Sequence, residues 1–469
     1  MGISLSPSAL LDGQGINVTN LVNQILSQST GQLTGWQNEQ ATLQSQASAL
    51  TAINNDLTNL ASVVTALSDP LGALTAQAAT SSNTGVLTAT ADTSATAGTH
   101  QIVVTNLATA GTAYTNGVSD ANASFLPSGA TTGDISLQIG GSTGVTHDIA
   151  ITQGSNDTLT TLASYINSQG WGVTANVITD ATGSRLALFS QATGTPGALA
   201  ITSNTTSLTF NAPTGGTNAS LTIDGIPYSS TTNRITGAIP GVTLNLVSGA
   251  SGNPVQLTVG PDVQQTTQAI NNFVSAYNQI VSDINQQYTV NAATNSEGPL
   301  GADASLRQLQ SSLMADVTYS VSGNSGYVNL ASLGINMNND GTLTVDSTAL
   351  NSALASNPTA VLGFFQNSGL TGFANNFHTN LMQLTDSTQG LLNVDLAQNK
   401  AQQQSLSDSI NNFEVQLAAQ QKQLMNQFSR VNASLQAYPL LLQQVTETLA
   451  ALDSGSITGS SHPILTSGL

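Results

Sequence analysis

LQSQASALTAINNDLTNLASVVTAL, residues 43–67, repeats its apolar side chains at intervals of three and four. A weaker repeat before it shares the same heptad register. The apolar residues at the two inward positions are Val22, Ile25, Trp36, Leu43, Leu50, Ile53, Leu57, Leu60, Val64 and Leu67. Because a sustained 3.5-residue repeat requires a partner along its length, this stretch predicts a long helix packed against another helix. Asp69-Pro70 is predicted to end it.

A second seam lies near the C-terminus, on a helix predicted from about Asn393 to Ala437. Its apolar residues recur at intervals of seven or fourteen, namely Leu396, Ile410, Leu417, Leu424, Val431, Tyr438, Val445 and Leu452. Pro439 removes a backbone donor inside this pattern, so the helix is predicted to kink or restart before residue 440. We expect the two chain ends to meet and to carry everything between them as an insertion on a helical stalk.

Between the seams, from Ala76 to about Gly260, the apolar period changes to two, which is typical of β-strands. One predicted helix, Thr158 to Ser168, interrupts the strands. The predicted fold class is α+β and multidomain, with a helical coiled-coil leg formed by both chain ends and two β-rich head domains inserted between them. The predicted divisions are 43–71 and 261–427 for the helical leg domain, 72–105 and 201–260 for the first head domain, 106–200 for the second, and 1–42 and 428–469 for terminal helical segments.

The two seams predict two sets of contact residues. Packing inside the leg bundle is predicted for Leu43, Leu50, Ile53, Leu57, Leu60, Val64, Leu67, Ile410, Phe413, Leu417 and Leu424. Anchoring on neighbouring subunits is predicted for Val22, Ile25, Phe428, Leu435, Leu442 and Leu449. Gln32, Glu39, Gly31 and Gly35 weaken the first seam, so we expect the terminal segments to be disordered in the free chain and to order on assembly. Alternatively, residues 43–67 and the C-terminal seam form the core of one ordinary domain.

Charge and composition exclude several function classes. The chain has six Lys and Arg against 24 Asp and Glu, a net charge of -18, so it lacks the basic surface that nucleic acids and anionic membranes require. No apolar run approaches the length of a membrane span, and the first basic residue is Arg185, so no cleavable signal peptide is expected. The absence of Cys excludes disulfides and thiolate chemistry. Composition alone suits a cytosolic protein and a protein exported without a cleaved signal equally well.

Three sequence features resemble catalytic or metal-binding sites, but the residues around them do not support such a site. Residues 140–144 match the nucleophile motif G-x-S-x-G, but a second strand follows where a helix is required, so they predict a hairpin turn. Residues 336–341 resemble the start of a calcium loop, but Ser347 stands where a bidentate Glu is needed. The four His residues show no ligand spacing. We therefore predict no catalytic, cofactor-binding or metal-binding residues, and a protein that is not an enzyme.

Several further motifs, taken in chain order, carry a family resemblance. They are Gly13-Gln14-Gly15-Ile16-Asn17, Ser81-Ser82-Asn83, GTHQIVVTNLA at 98–108, LTIDGI at 221–226, Asn233 with Ile235, IPGVTL at 239–244, FVSAYN at 273–278, LGI at 333–335 and DGTL at 340–343. Residues 157–167, with 173–175 and 185–186, are similar to a repeat of flagellins. Over almost its whole length the chain resembles the flagellar filament cap family, also called hook-associated protein 2.

This resemblance implies a non-enzymatic, homo-oligomeric protein at the tip of the bacterial flagellar filament, exported unfolded without a cleaved signal. Its implied partners are further copies of itself, flagellin, hook-filament junction proteins and an export chaperone, with no nucleic acid and no membrane insertion. Its implied work is to promote flagellin folding and insertion and to prevent flagellin loss. A flagellin-like or hook-junction structural subunit and a tip adhesin remain alternatives.

Overall fold

The computed structural model describes residues 17–249, 253–292, 296–324, 326–367 and 369–453. Its helices are α1 (Val18–Ser68), α2 (Leu159–Ser168), α3 (Val263–Tyr288), α4 (Ala304–Val317), α5 (Ser347–Ser356), α6 (Pro358–Phe365), α7 (Phe373–Leu384) and α8 (Leu391–Asp453). Its strands are β1 (Gln77–Ser81), β2 (Leu87–Ala91), β3 (Gly98–Asn106), β4 (Ala110–Tyr114), β5 (Thr132–Ile139), β6 (Val145–Thr152), β7 (Val173–Asp180), β8 (Gly183–Thr193), β9 (Leu199–Asn204), β10 (Ala219–Ile223), β11 (Ile226–Ser230), β12 (Arg234–Ile239), β13 (Val242–Leu246), β14 (Val255–Pro261), β15 (Ile335–Met337) and β16 (Leu343–Val345). Helices at both ends and a β-rich middle confirm the predicted α+β fold class.

The first head domain consists of two antiparallel sheets, ordered β1-β14-β3-β10-β11 and β12-β13-β2. Side chains on alternate strand positions, among them Leu87, Ile102 and Leu244, are buried in one shared core. The β10–β11 hairpin turns at Asp224 and Gly225, whose φ angles are 51° and 81°. Positive φ at both central residues identifies a type I′ turn, which matches the twist of the flanking strands.

The second head domain is inserted into the first between β3 and β10, which pair with each other. Its sheets are ordered β4-β8-β7 and β6-β5-β9, and α2 buries its apolar face in their common core. The predicted boundary at residue 200 falls inside β9, and β-bridges from β4 and the residue after it reach Phe210 and Thr214. The chain therefore leaves this domain beyond residue 200, because cross-strand pairing carries it past β9.

The predicted hairpin turn at residues 140–144 is confirmed. β5 and β6 pair antiparallel on either side of it, and a short 3-10 turn, Gly141–Thr143, joins them. Gly140 and Gly141 have φ angles of 102° and 68°, in the left-handed region that glycine tolerates best. Ser142 is therefore held in a turn between two strands and not at the strand-to-helix elbow of a hydrolase.

The helical leg domain has a core built from the second half of α1, from α3 to α7 and from the start of α8. Its centre is a cluster of aromatic rings, with Phe273, Phe364, Phe365, Phe373 and Phe377 joined by centroid distances of 5.0 to 5.8 Å. Edge-to-face contacts of this kind add to the free energy of burial. The core is thus made by many helices and not by a pair.

α1 agrees to within one residue at each end with the helix that the sequence predicts from about Thr19 to Leu67, whereas α8 is longer than predicted. α1 begins at Val18, where the side chain of Asn17 caps it by accepting the Asn20 N–H, and it continues through Gly31 and Gly35. α8 runs without a break from Leu391 to Asp453. Of the predicted kink or restart at Pro439, the restart does not occur, because one missing N–H removes only one of the many helical hydrogen bonds in an element of this length.

The segments predicted to be disordered in the free chain are thus helical over 18–42 and 428–453. Their remaining parts, residues 1–16 and 454–469, lie outside the described residues.

Candidate assembly surface

α1 and α8 run antiparallel and contact each other along a continuous seam. The side-chain amide of Asn399 donates to Gln46 Oε1 at 3.4 Å, and that of Gln403 donates to the Leu43 carbonyl at 3.3 Å. Further along, the Trp36 and Phe413 rings meet edge to face at 5.4 Å. Residue numbers rise on one helix as they fall on the other. We call this region, residues 18–46 of α1 and 399–427 of α8, the helix pair.

A layer of amides lies where the helix pair joins the leg core. Asn399 is only 7% exposed, and its Oδ1 accepts the side-chain amide of Gln403 at 2.6 Å. Partly buried amides that satisfy one another favour a single alignment of two helices, because sliding either helix breaks the hydrogen bonds. Gln46, Asn399 and Gln403 therefore fix the offset between α1 and α8.

Beyond the helix pair, α8 extends past its partner. Asn23 contacts Gln421, and α1 begins five residues before Asn23, at Val18, so antiparallel pairing uses up α1 near residue 428. We call residues 428–453 the α8 overhang. Phe428 and Leu435 are half-buried. Most of the remaining large apolar residues of the α8 overhang are exposed, namely Val431, Tyr438, Leu440, Leu441, Leu442, Val445, Leu449 and Leu452.

Three protein-family models match parts of this sequence. The model described as "Flagellar hook-associated protein 2 N-terminus" matches residues 14–111, and "Flagellar hook-associated protein 2 C-terminus" matches residues 216–438. "Flagellin hook IN motif" matches residues 134–192, inside the second head domain. The B-type flagellar hook-associated protein 2 of Pseudomonas aeruginosa is 30% identical over 339 residues, which cover 64% of this chain and 69% of that protein.

The chain belongs to the flagellar hook-associated protein 2 family. Helicobacter pylori hook-associated protein 2 is 29% identical over 151 residues, but the match spans only 22% of that protein. Among solved structures, the D1-D2-D3 domains of the flagellar cap protein FliD from Escherichia coli superpose with a TM-score of 0.56 at 26% identity. That match covers 75% of this chain and 99% of the other.

The structure divides the predicted leg bundle into two environments. Leu50, Ile53, Leu57, Leu60, Val64 and Leu67 are buried in the many-helix core. Ile410, Phe413, Leu417 and Leu424 lie further along α8, where Leu417 borders the same groove as Leu26 and Thr30. Leu57 and Thr30 are about 40 Å apart along α1 at about 1.5 Å per residue. Leu57 and Leu417, which the sequence places in one leg bundle, therefore lie in different environments, because the antiparallel offset carries them apart. Leu43 is half-buried and lies where the helix pair joins the leg core.

The predicted anchoring residues also separate. Val22 is fully buried and Ile25 is half-buried within the chain, so the α1 members are not available as a free surface. Leu442 and Leu449, in contrast, are 51% and 60% exposed. Sequence reasoning missed the amide layer, although Gln46 at an inward position was its signal.

The leg core holds one buried carboxylate. Asp316 is 3% exposed, its Oδ1 accepts the side-chain amide of Asn380, and its Oδ2 has no hydrogen-bond partner. Burial raises the pKa of Asp316 to about 6, against the lowering effect of Asn380. Burial and the charge of Asp316 raise the pKa of Tyr277, whose hydroxyl is also buried without a partner. At neutral pH this carboxylate therefore destabilises the core that surrounds it.

A second carboxyl is perturbed where α1 contacts α3. Burial, and then the hydrogen bond and charge of Asp283, raise the pKa of Asp56 to about 6. Within the part of the chain that the structure describes, no three His, Asp or Glu side chains group as metal ligands, and no helix is long and apolar enough to cross a membrane.

Proposed function

We propose that this protein is the structural cap at the distal end of the bacterial flagellar filament, where copies of it assemble, promote flagellin folding and insertion, and prevent flagellin loss. Membership of the hook-associated protein 2 family and the likeness to a flagellar cap protein support this proposal. It includes an extracellular location at the filament tip, export without a cleaved signal peptide, and no enzymatic activity.

The observation that carries the proposal is the separation of the head domains from the exposed helical end. Ser68, the last residue of α1, leads to β1 of the first head domain, whereas the α8 overhang extends past Val18, the first residue of α1. The 51 residues of α1 span roughly 76 Å at about 1.5 Å per residue. One chain thus has folded β-domains at one end and a helix with exposed apolar side chains at the other.

These two ends suit different partners. We assign the head domains to the plate of the cap, where copies meet, and the helix pair with the α8 overhang to contacts with flagellin and with hook-filament junction proteins. Exposed apolar side chains on a helix favour docking on other helices, and burial there offsets the entropy lost on ordering. An export chaperone would cover the same side chains before secretion.

Complementation of a cap-deletion strain tests the proposal. The full chain, expressed with the flagellin of its own source, is expected to restore filaments and to lower the flagellin released into the medium to the level of the parent strain. A chain truncated after residue 427 is expected to fold but to leave flagellin in the medium. Normal filaments without any cap gene, or with the truncated chain, would overturn the assignment.

A further inference from the structure

The chain passes between the leg domain and the first head domain twice, and we call these two passages the neck. Residues 69–76 join α1 to β1, and Asp262 joins β14 to α3. β1 and β14 pair antiparallel as far as Gln77 and Pro261, and the Asp262 N–H then donates to the Ala76 carbonyl at 2.9 Å. The two passages are therefore held to each other and would turn together if the head moved relative to the leg.

The C-terminal end of α1 lacks the usual local partners for its carbonyl groups. The last four carbonyls of a helix have no donor within the helix, and the N–H groups of the residues that follow commonly supply one. Here Asp69 follows α1 in an extended conformation, and Pro70 has no N–H to donate. A donor from another part of the fold is therefore needed at this end.

Gln366 supplies such a donor. Its side-chain nitrogen donates to the carbonyl of Leu67 and, at 2.9 Å, to the carbonyl of Asp69. These acceptors lie on either side of Ser68, the last residue of α1, so one amide spans the point where the neck begins. Gln366 is itself fixed to the leg, because it directly follows α6 and its backbone N–H donates to the Leu362 carbonyl at 2.7 Å.

Further contacts tie the other end of residues 69–76 to the leg. Thr266, which is 5% exposed on α3, donates its hydroxyl hydrogen to the Ala73 carbonyl at 3.3 Å. Leu74 is 7% exposed and belongs to the leg core. This half of the neck is thus bound to the leg at its start by Gln366 and at its end by Thr266 and Leu74.

We propose that Gln366 is a positioning residue that locks the angle between the first head domain and the leg domain. A hinge consists of a few loop or element-terminal residues that absorb a change in φ and ψ, and Ser68 and Asp69 are the element-terminal residues here. The Gln366 amide binds the carbonyls on both sides of this point, so bending there requires its hydrogen bonds to break. The lock is a property of the single chain and does not depend on the proposed function.

Spin labels on introduced Cys residues measure the lock directly, since the sequence has no Cys of its own. Thr236→Cys on β12 and Gln308→Cys on α4, both exposed, place one label on the first head domain and one on the leg. The labelled full-length protein is mixed with an excess of unlabelled protein, so that pulsed electron paramagnetic resonance measures distances within one chain. We expect a single narrow distance distribution.

Gln366→Ala should widen this head–leg distribution roughly twofold, because domains that only linkers join move relative to each other. Adding Thr266→Val, which removes the hydroxyl that binds Ala73, should widen it further. A width for Gln366→Ala equal to that of the unsubstituted neck would overturn the proposal. So would a distribution that is already as wide with Gln366 in place.

Controls separate a lock from a general loss of structure. Gln383→Ala removes an exposed glutamine of α7 and should leave the head–leg width unchanged. Labels on Gln308→Cys and Ser387→Cys, both in the leg, should give the same distribution with and without Gln366→Ala. Gln366→Glu keeps the length of the side chain and removes its N–H donors, so it should widen the head–leg distribution as Gln366→Ala does. A narrow head–leg distribution for Gln366→Glu, or a change between the two leg labels, would overturn the assignment of the lock to the hydrogen bonds of Gln366.

Discussion

Residues 50–67 of α1 and the α8 overhang share one heptad pattern and have opposite environments. In the first, Leu57, Leu60 and Val64 are fully buried among six other helices. In the second, Leu442, Val445 and Leu449 are half or more exposed. The comparison shows that a heptad repeat specifies a helix with an apolar stripe, while the elements that surround the stripe determine whether it contributes to the stability of the chain or remains available for assembly.

The largest expected effect comes from the same truncation made in the two regions. Leu57→Ala should lower the free energy of unfolding of the leg domain by about 2–5 kcal/mol, because it leaves a cavity in a packed core. Leu442→Ala should change it by less than about 0.5 kcal/mol, because that side chain is 51% exposed and belongs to none of the buried cores of the described residues. Urea unfolding of the full-length proteins at low concentration measures both. Equal losses for the two variants would remove the distinction between the regions.

An intermediate effect is expected from Asp316→Asn, which makes the buried carboxyl of the leg core permanently neutral. The folded-state pKa of Asp316, about 6, exceeds its ordinary value of 3.8. Its contribution to stability is therefore fully present below pH 3.8 and is lost as the pH rises through 6. The substitution should stabilise the leg domain by about 2–3 kcal/mol at pH 7.5 and by little at pH 4.

Unfolding midpoints of wild type and Asp316→Asn across this pH range check the prediction. Asp340→Asn serves as the control, since the carboxyl of Asp340 is fully exposed and hydrogen bonds from Thr342 lower its pKa. A gain from Asp316→Asn that is the same at every pH would show that ionisation of the carboxyl is not the cause.

The smallest expected effects are differences between helical segments in the free energy of local opening. Amides of the α8 overhang should exchange with solvent fastest, because an isolated helical segment of this length is marginal in water. Amides of 18–42 should be slower, since Val22 is buried, and those of 50–67 slowest. Hydrogen exchange at low protein concentration measures this order. Equal exchange rates in the three segments would contradict it.

Local chemistry made several features of the fold predictable. Residues 140–144 predict a hairpin turn because the pattern of a second strand follows them, and the structure has this turn. The alternation of apolar residues predicts two β-rich domains, one inserted into the other. The end of the second domain was not predictable, since residues such as Phe210 join it through long-range pairing that leaves no local pattern.

The type of candidate site was predictable from the sequence, but the residues that belong to it were only partly predictable. The sequence indicates apolar helical ends that act in assembly, and it names Leu442 and Leu449. It also names Val22, which the fold buries, and it assigns Leu417 to the same core as Leu57. Both errors have one cause. A repeat of seven residues looks the same after a shift of one or more heptads, so periodicity alone does not reveal which segment of α1 lies opposite which segment of α8.

The sequence by itself determined the α+β class, the helical character of both ends, the family and the lack of a recognisable catalytic motif, because each of these follows from short-range spacing or from composition. The tertiary structure alone decided the offset between α1 and α8. That offset depends on the amide layer of Gln46, Asn399 and Gln403 and on where Asn17 starts α1. Once the offset is set, α1 ends before the apolar stripe of α8 does, and side chains such as Leu442 and Leu449 are left more than half exposed.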